Sequence, residues 1–98
     1  MALVIDLQDG FEGDAVVVCL DGREVFRKAG VRTRYQISRA DRITLEPDAG
    51  RRTVEVSLPD KGIKDEVTID VEATPFLGVS LDQETLVFKP SSEAFRYL

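Results

Sequence analysis

Apolar side chains recur at every second residue through most of this chain, and that period limits what it can fold into. Val54, Val56 and Leu58 alternate with Thr53, Glu55 and Ser57. Val67, Ile69 and Val71 alternate with Glu66, Thr68 and Asp70. Leu77, Val79 and Leu81 do the same, as do Leu3, Ile5 and Leu7. Side chains point to opposite faces of a strand in turn, so this pattern buries one face and wets the other. The run Ala15–Leu20 is apolar at every position and belongs in the middle of a sheet.

Turn residues punctuate these runs. Asp21-Gly22 tolerates the positive φ angles of a two-residue hairpin and joins Ala15–Leu20 to Arg23–Arg27. Ala29-Gly30 reads as a turn before a strand over Val31–Ile37. Pro47–Gly50 and Pro59–Gly62 flank Arg51–Leu58, and Thr74-Pro75 precedes Phe76–Leu81. Asp82–Glu84 leads to a last strand over Thr85–Lys89. Ile37, Ala40 and Ile43 are the nearest approach to a helical stripe, and Pro47 stops it early. The expectation is all-β: an antiparallel two-sheet β-sandwich, immunoglobulin-like, with about seven to nine short strands. All 98 residues fit one domain.

Two stretches resemble bacterial PEGA-type and other immunoglobulin-like modules. Val16–Val25 has their apolar strand, Asp-Gly turn and short return strand, and Pro47–Gly50 followed by Arg51–Leu58 is similar to their Pro-x-Gly turn and following strand. Asp48-Ala49 stands where the PEGA pattern has Glu-Gly, and extra strands flank the match. The chain also looks like short uncharacterised bacterial β-sandwich proteins. The resemblance implies a bacterial interaction module and no catalytic residue.

Composition excludes more chemistry than it suggests. There is no histidine, which removes the usual base near neutral pH and the commonest transition-metal ligand. A single cysteine, Cys19, allows neither an intrachain disulfide nor a thiolate zinc site. Set in an apolar run, it reads as a small buried hydrophobe. No phosphate-cradling glycine loop precedes a helix. The acids Asp6, Asp9, Glu12 and Asp14 gather around two glycines, but their spacing does not match a helix-flanked calcium loop. With no tryptophan, neither a glycosidase cleft nor a sugar platform is well supplied. We expect no enzyme, no cofactor and no metal. The N-terminus lacks the basic and long apolar regions of a leader or membrane span, so the expected setting is cytoplasmic.

Charge is unevenly spread. Residues 1–22 hold only acids, 23–52 hold nine bases against four acids, and 53–98 hold four bases against nine acids. The net charge of −5 makes nucleic acid an unlikely partner. In the basic middle, alternation would set Arg23 and Arg27 on one face, opposite Phe26. It would set Arg32 and Arg34 on another, opposite Val31, Thr33, Tyr35 and Ile37. If the strands are neighbours, Arg23, Arg27, Arg32 and Arg34 form one outer surface fit for an acidic protein segment or another anion. The leading expectation is a non-catalytic module that binds a protein partner or forms a homodimer. Binding of an anion or acidic partner on that arginine face is the alternative. The apolar residues of the tail Ala94–Leu98 are expected to cover one end of the sandwich or reach a second subunit.

Overall fold

The structure is a computed structural model that describes residues 1–97; Leu98 lies outside the described residues. Its strands are β1 (Leu3–Leu7), β2 (Glu12–Leu20), β3 (Arg23–Arg32), β4 (Asp41–Leu45), β5 (Arg51–Leu58), β6 (Ile63–Asp70), β7 (Phe76–Asp82) and β8 (Thr85–Ser91). They form two four-stranded sheets, ordered β4-β1-β7-β8 and β3-β2-β5-β6. The fold is a two-sheet β-sandwich. Hairpins join β2 to β3, β5 to β6 and β7 to β8, while β1 runs parallel to β7 in the middle of the first sheet.

The alternating residues meet where the period places them. Leu3, Ile5, Leu7, Leu77 and Val79 from one sheet face Val16, Val18, Val54, Val56 and Leu58 from the other, all essentially without solvent contact. Phe11 and Val71 close the same core. β2 is an internal strand, as its continuous apolar run requires. Asp21 and Gly22 both take positive φ, at 50° and 83°, which is the mirror-image turn expected of Asp-Gly. The β7–β8 turn uses the same geometry with Gln83 and Glu84, at 49° and 64°, where no glycine marks it.

Three expectations fail in informative ways. Ala29-Gly30 is not a turn. Gly30, at φ 69°, bulges β3, which then continues to Arg32 opposite Glu12. The strand expected over Val31–Ile37 therefore ends at Arg32, and residues 33–40 form a turn closed by the Arg34–Arg39 bridge. Tyr35, expected to share a face with Val31 and Thr33, is 73% exposed. The tail does not plug an end of the sandwich. It crosses the outer side of the first sheet, where Tyr97 hydrogen-bonds to Asp6.

Candidate functional site

The structure does not bring Arg23, Arg27, Arg32 and Arg34 onto one face. A second bulge in β3 sets Phe26 opposite Val18 but Glu24 opposite Cys19, leaving Val25 as the extra residue. Residues facing each other in a ladder share a side. Arg23, opposite Leu20, thus falls on the inner side, and Arg27, opposite Val17, on the outer side. Arg27 is neutralised there by a forked contact with Glu24, at 2.7 and 3.2 Å. That hydrogen bond and charge raise the Arg27 pKa and lower that of Glu24. Arg32 lies along Gly13 near Asp14. Arg34 sits in the 33–40 turn, near an Asp41 that Lys28 already holds at 2.8 Å.

Arg23 instead lines an open groove of about 470 Å³ at one end of the sandwich. Leu20, Val25 and Leu45 form its apolar floor, with Asp21, Glu46 and Asp48 on the rim. Arg52 crosses this groove to Asp21 at 3.1 Å. Three acids against two bases line it, a balance that disfavours an anion.

The 33–40 turn and the tail build a different surface. Arg34 and Arg39 are bridge partners, with the Arg34 N–H donating to the Arg39 carbonyl at 3.1 Å. The Arg39 guanidinium lies 5.4 Å over the centre of the Tyr97 ring. Tyr35, Gln36, Ile37, Ser38, Arg96 and Tyr97 surround a shallow hollow of about 130 Å³. Among the described residues, no carboxylate lies within ion-pair distance of Arg34, Arg39 or Arg96, whereas Arg27, Lys28, Arg42, Arg52 and Lys61 each have one. Residues 33–40 contain no acid. Sequence spacing could not reveal this cluster, because Arg96 reaches it only through the path of the tail.

That path is set by a buried carboxylate. Asp6, on the outward side of β1, is 1% exposed. Arg42, its ladder partner on β4, donates to both carboxylate oxygens at 2.7 and 3.1 Å. Tyr97 Oη donates to Asp6 Oδ2 at 2.6 Å and accepts from Gln8 Nε2 at 3.1 Å. Burial, and then the bond to the Asp6 carboxylate, push the Tyr97 phenol up to about 12. A raised pKa favours the neutral phenol, so the clamp is intact below the ordinary value of 10.0 and is lost as pH climbs toward 12. Absorbance titration at 295 nm should therefore show a late tyrosinate phase that Tyr97→Phe abolishes. Complete ionisation by pH 11 would refute the clamp.

The remaining sequence candidates resolve separately. Asp6 belongs to the clamp. Asp14 is held by Lys61 at 2.9 Å and by the Glu12 N–H. Burial pushes the Asp14 pKa upward, but these bonds and the neighbouring cations outweigh it and hold the carboxyl below its ordinary value. Among the described residues no three potential metal ligands converge. Cys19 is half-buried between Glu24 and Glu55 on the outer side of its sheet, not in the core, because Val18 and Leu20 take the inner side. No helix among the described residues is long and apolar enough to cross a membrane. No protein family, curated protein or solved structure matches the chain.

Proposed function

We propose that this chain is a non-catalytic protein-interaction module that docks an acidic segment of a partner protein on the surface formed by Arg34, Arg39, Arg96 and Tyr35. One observation carries the reading: among the described residues Arg34, Arg39 and Arg96 have no carboxylate within ion-pair distance, although the tail and the 33–40 turn bring Arg39 and Arg96 to one surface, while Arg27, Lys28, Arg42, Arg52, Lys61 and Lys64 each have one. Arginine forks match carboxylates in two-point contacts, and an exposed tyrosine adds apolar area at low entropic cost. The overall negative charge disfavours phosphate polymers, so a short acidic protein segment fits better than nucleic acid. The absence of histidine agrees with a role in binding. The resemblance to PEGA-type and immunoglobulin-like modules favours a bacterial origin, and the lone cysteine a cytoplasmic setting.

Fluorescence anisotropy with a labelled Glu/Asp-rich peptide tests this reading. Binding should weaken with salt, and Arg34→Glu with Arg96→Glu should raise Kd by about tenfold or more. Melting should be unchanged, because both side chains are exposed and neither has an ion-pair partner among the described residues. Arg27→Glu, whose charge Glu24 already cancels, should leave binding unchanged. Equal binding by the double variant, or tighter binding of an oligothymidine of matched length, would overturn the proposal.

A further inference from the structure

Each sheet ends in two edge strands, and three of the four are interrupted. β3 carries bulges, β4 is only five residues long, and β8 contains Pro90. Such features deter a further strand from pairing. β6 is different. Its eight residues pair with β5 without a slip, from Ile63 opposite Leu58 to Asp70 opposite Arg51, with no glycine or proline.

The free side of β6 can be identified. Just past the strand, the Val71 N–H donates to the Gly50 carbonyl at 3.1 Å, so odd-numbered residues turn their backbone groups toward β5. The Asp70 carbonyl faces the other way and accepts from the Thr74 N–H at 2.8 Å. Lys64, Glu66 and Thr68 therefore aim their N–H and C=O groups outward. One of these donors is already occupied: Asp65 Oδ1 accepts from the Glu66 N–H at 2.8 Å.

We propose that β6 pairs antiparallel with β6 of a second copy of this chain, about a two-fold axis at Val67, and that Asp65 restrains the pairing. The charges select the register. Outward-facing hydrogen-bonded pairs must join even-numbered residues, so the axis can move only one residue at a time. Centred on Glu66, the pairing sets that residue against itself. Centred on Thr68, it sets Glu66 against Asp70. Centred on Asp65, it opposes two Asp65 carboxylates, and centred on Ile69 it sets Glu66 against Glu72. Centred on Val67, it joins Lys64 to Asp70 twice, Glu66 to Thr68 twice and Val67 to itself. Like charges directly opposite destabilise a ladder and unlike charges support it, so only this last arrangement has no such penalty. The half-buried Val67 at the rim gains cover from its own copy. To pair, the Glu66 N–H must exchange the Asp65 carboxylate for the Thr68 carbonyl of the second copy, and the Asp70 carbonyl, which accepts from Thr74, must also take the Lys64 N–H of that copy. This surface is separate from the basic one, so either can exist without the other.

Sedimentation equilibrium tests the pairing at protein concentrations up to about 1 mM. Wild type should show a reversible dimer. Asp65→Ala, which frees the Glu66 N–H, should tighten it by about threefold or more, and Lys64→Glu should weaken it by about tenfold. Arg34→Glu should change nothing. In a Cys19→Ser background, Val67→Cys should crosslink under mild oxidation, whereas Thr68→Cys, opposite Glu66, should not. The proposal falls if wild type and Asp65→Ala both stay monomeric, if Lys64→Glu dimerises like wild type, or if Thr68→Cys crosslinks as readily as Val67→Cys.

Discussion

Arg42→Ala should cost about 3 kcal/mol of folding stability, through the carboxylate it would strand. Asp6 is 1% exposed, so water cannot replace most of what the guanidinium supplies. Removing one member of a buried pair leaves an uncompensated charge, which typically costs about 3–5 kcal/mol. The lower end applies here because the Arg42 side chain is 43% exposed, and truncation would let some water reach Asp6. Tyr97 would still donate to Oδ2, but Oδ1 would lose its 2.7 Å partner. The double variant Asp6→Ala/Arg42→Ala removes the stranded charge and should be less destabilised than the sum of the two singles. Urea denaturation of all four proteins measures that coupling, expected at about 1 kcal/mol or more. If Arg42→Ala unfolds within about 0.5 kcal/mol of wild type, the pair has no structural role.

The same residue illustrates what the chain's chemistry discloses by itself. The inward positions of β1, β5, β6 and β7 follow from period two, because a one-residue slip would put every apolar side chain in water. Asp21-Gly22 follows from its backbone freedom. Asp6 does not follow. In sequence it is one of two acids before Gly10, and only the ladder that sets it beside Arg42, and the tail that covers both, make it a buried anchor. Gly30 misleads for a related reason, since positive φ serves a bulge as well as a turn. That ambiguity accounts for Arg34 leaving the strand, while the separate bulge at Val25 splits Arg23 from Arg27. The approach of Arg39 and Arg96 depends on a contact between the tail and a turn far away in the chain. No local pattern encodes such a contact.

Gly10→Ala should destabilise the protein by about 2–5 kcal/mol, the sum of a left-handed backbone penalty and overpacking. Gly10 lies in the connection from β1 to β2 at φ 91°, where L side chains are strained. The space is also closed. A Cβ at this position would fall on the Leu81 carbonyl, which is backbone and cannot swing aside as a side chain can. Nor can the loop retreat. On one side the Gln8 N–H donates to the Val79 carbonyl at 2.7 Å, and Asp9 accepts from the Leu81 N–H at 2.8 Å. On the other, the buried Thr33 Oγ1 donates to the Gln8 carbonyl at 2.7 Å and accepts from the Phe11 N–H at 3.0 Å. Relieving the clash would break the extension of β1 along β7 or shift Phe11, which is fully buried. Gly22 provides the control. It has a similar positive φ of 83°, but a Cβ there meets nothing within 4 Å. Gly22→Ala should therefore cost only the backbone strain, about 1–2 kcal/mol. Thermal and urea unfolding of the two variants separate strain from collision. If Gly10→Ala costs no more than Gly22→Ala, the close approach of the loop to Leu81 is wrong.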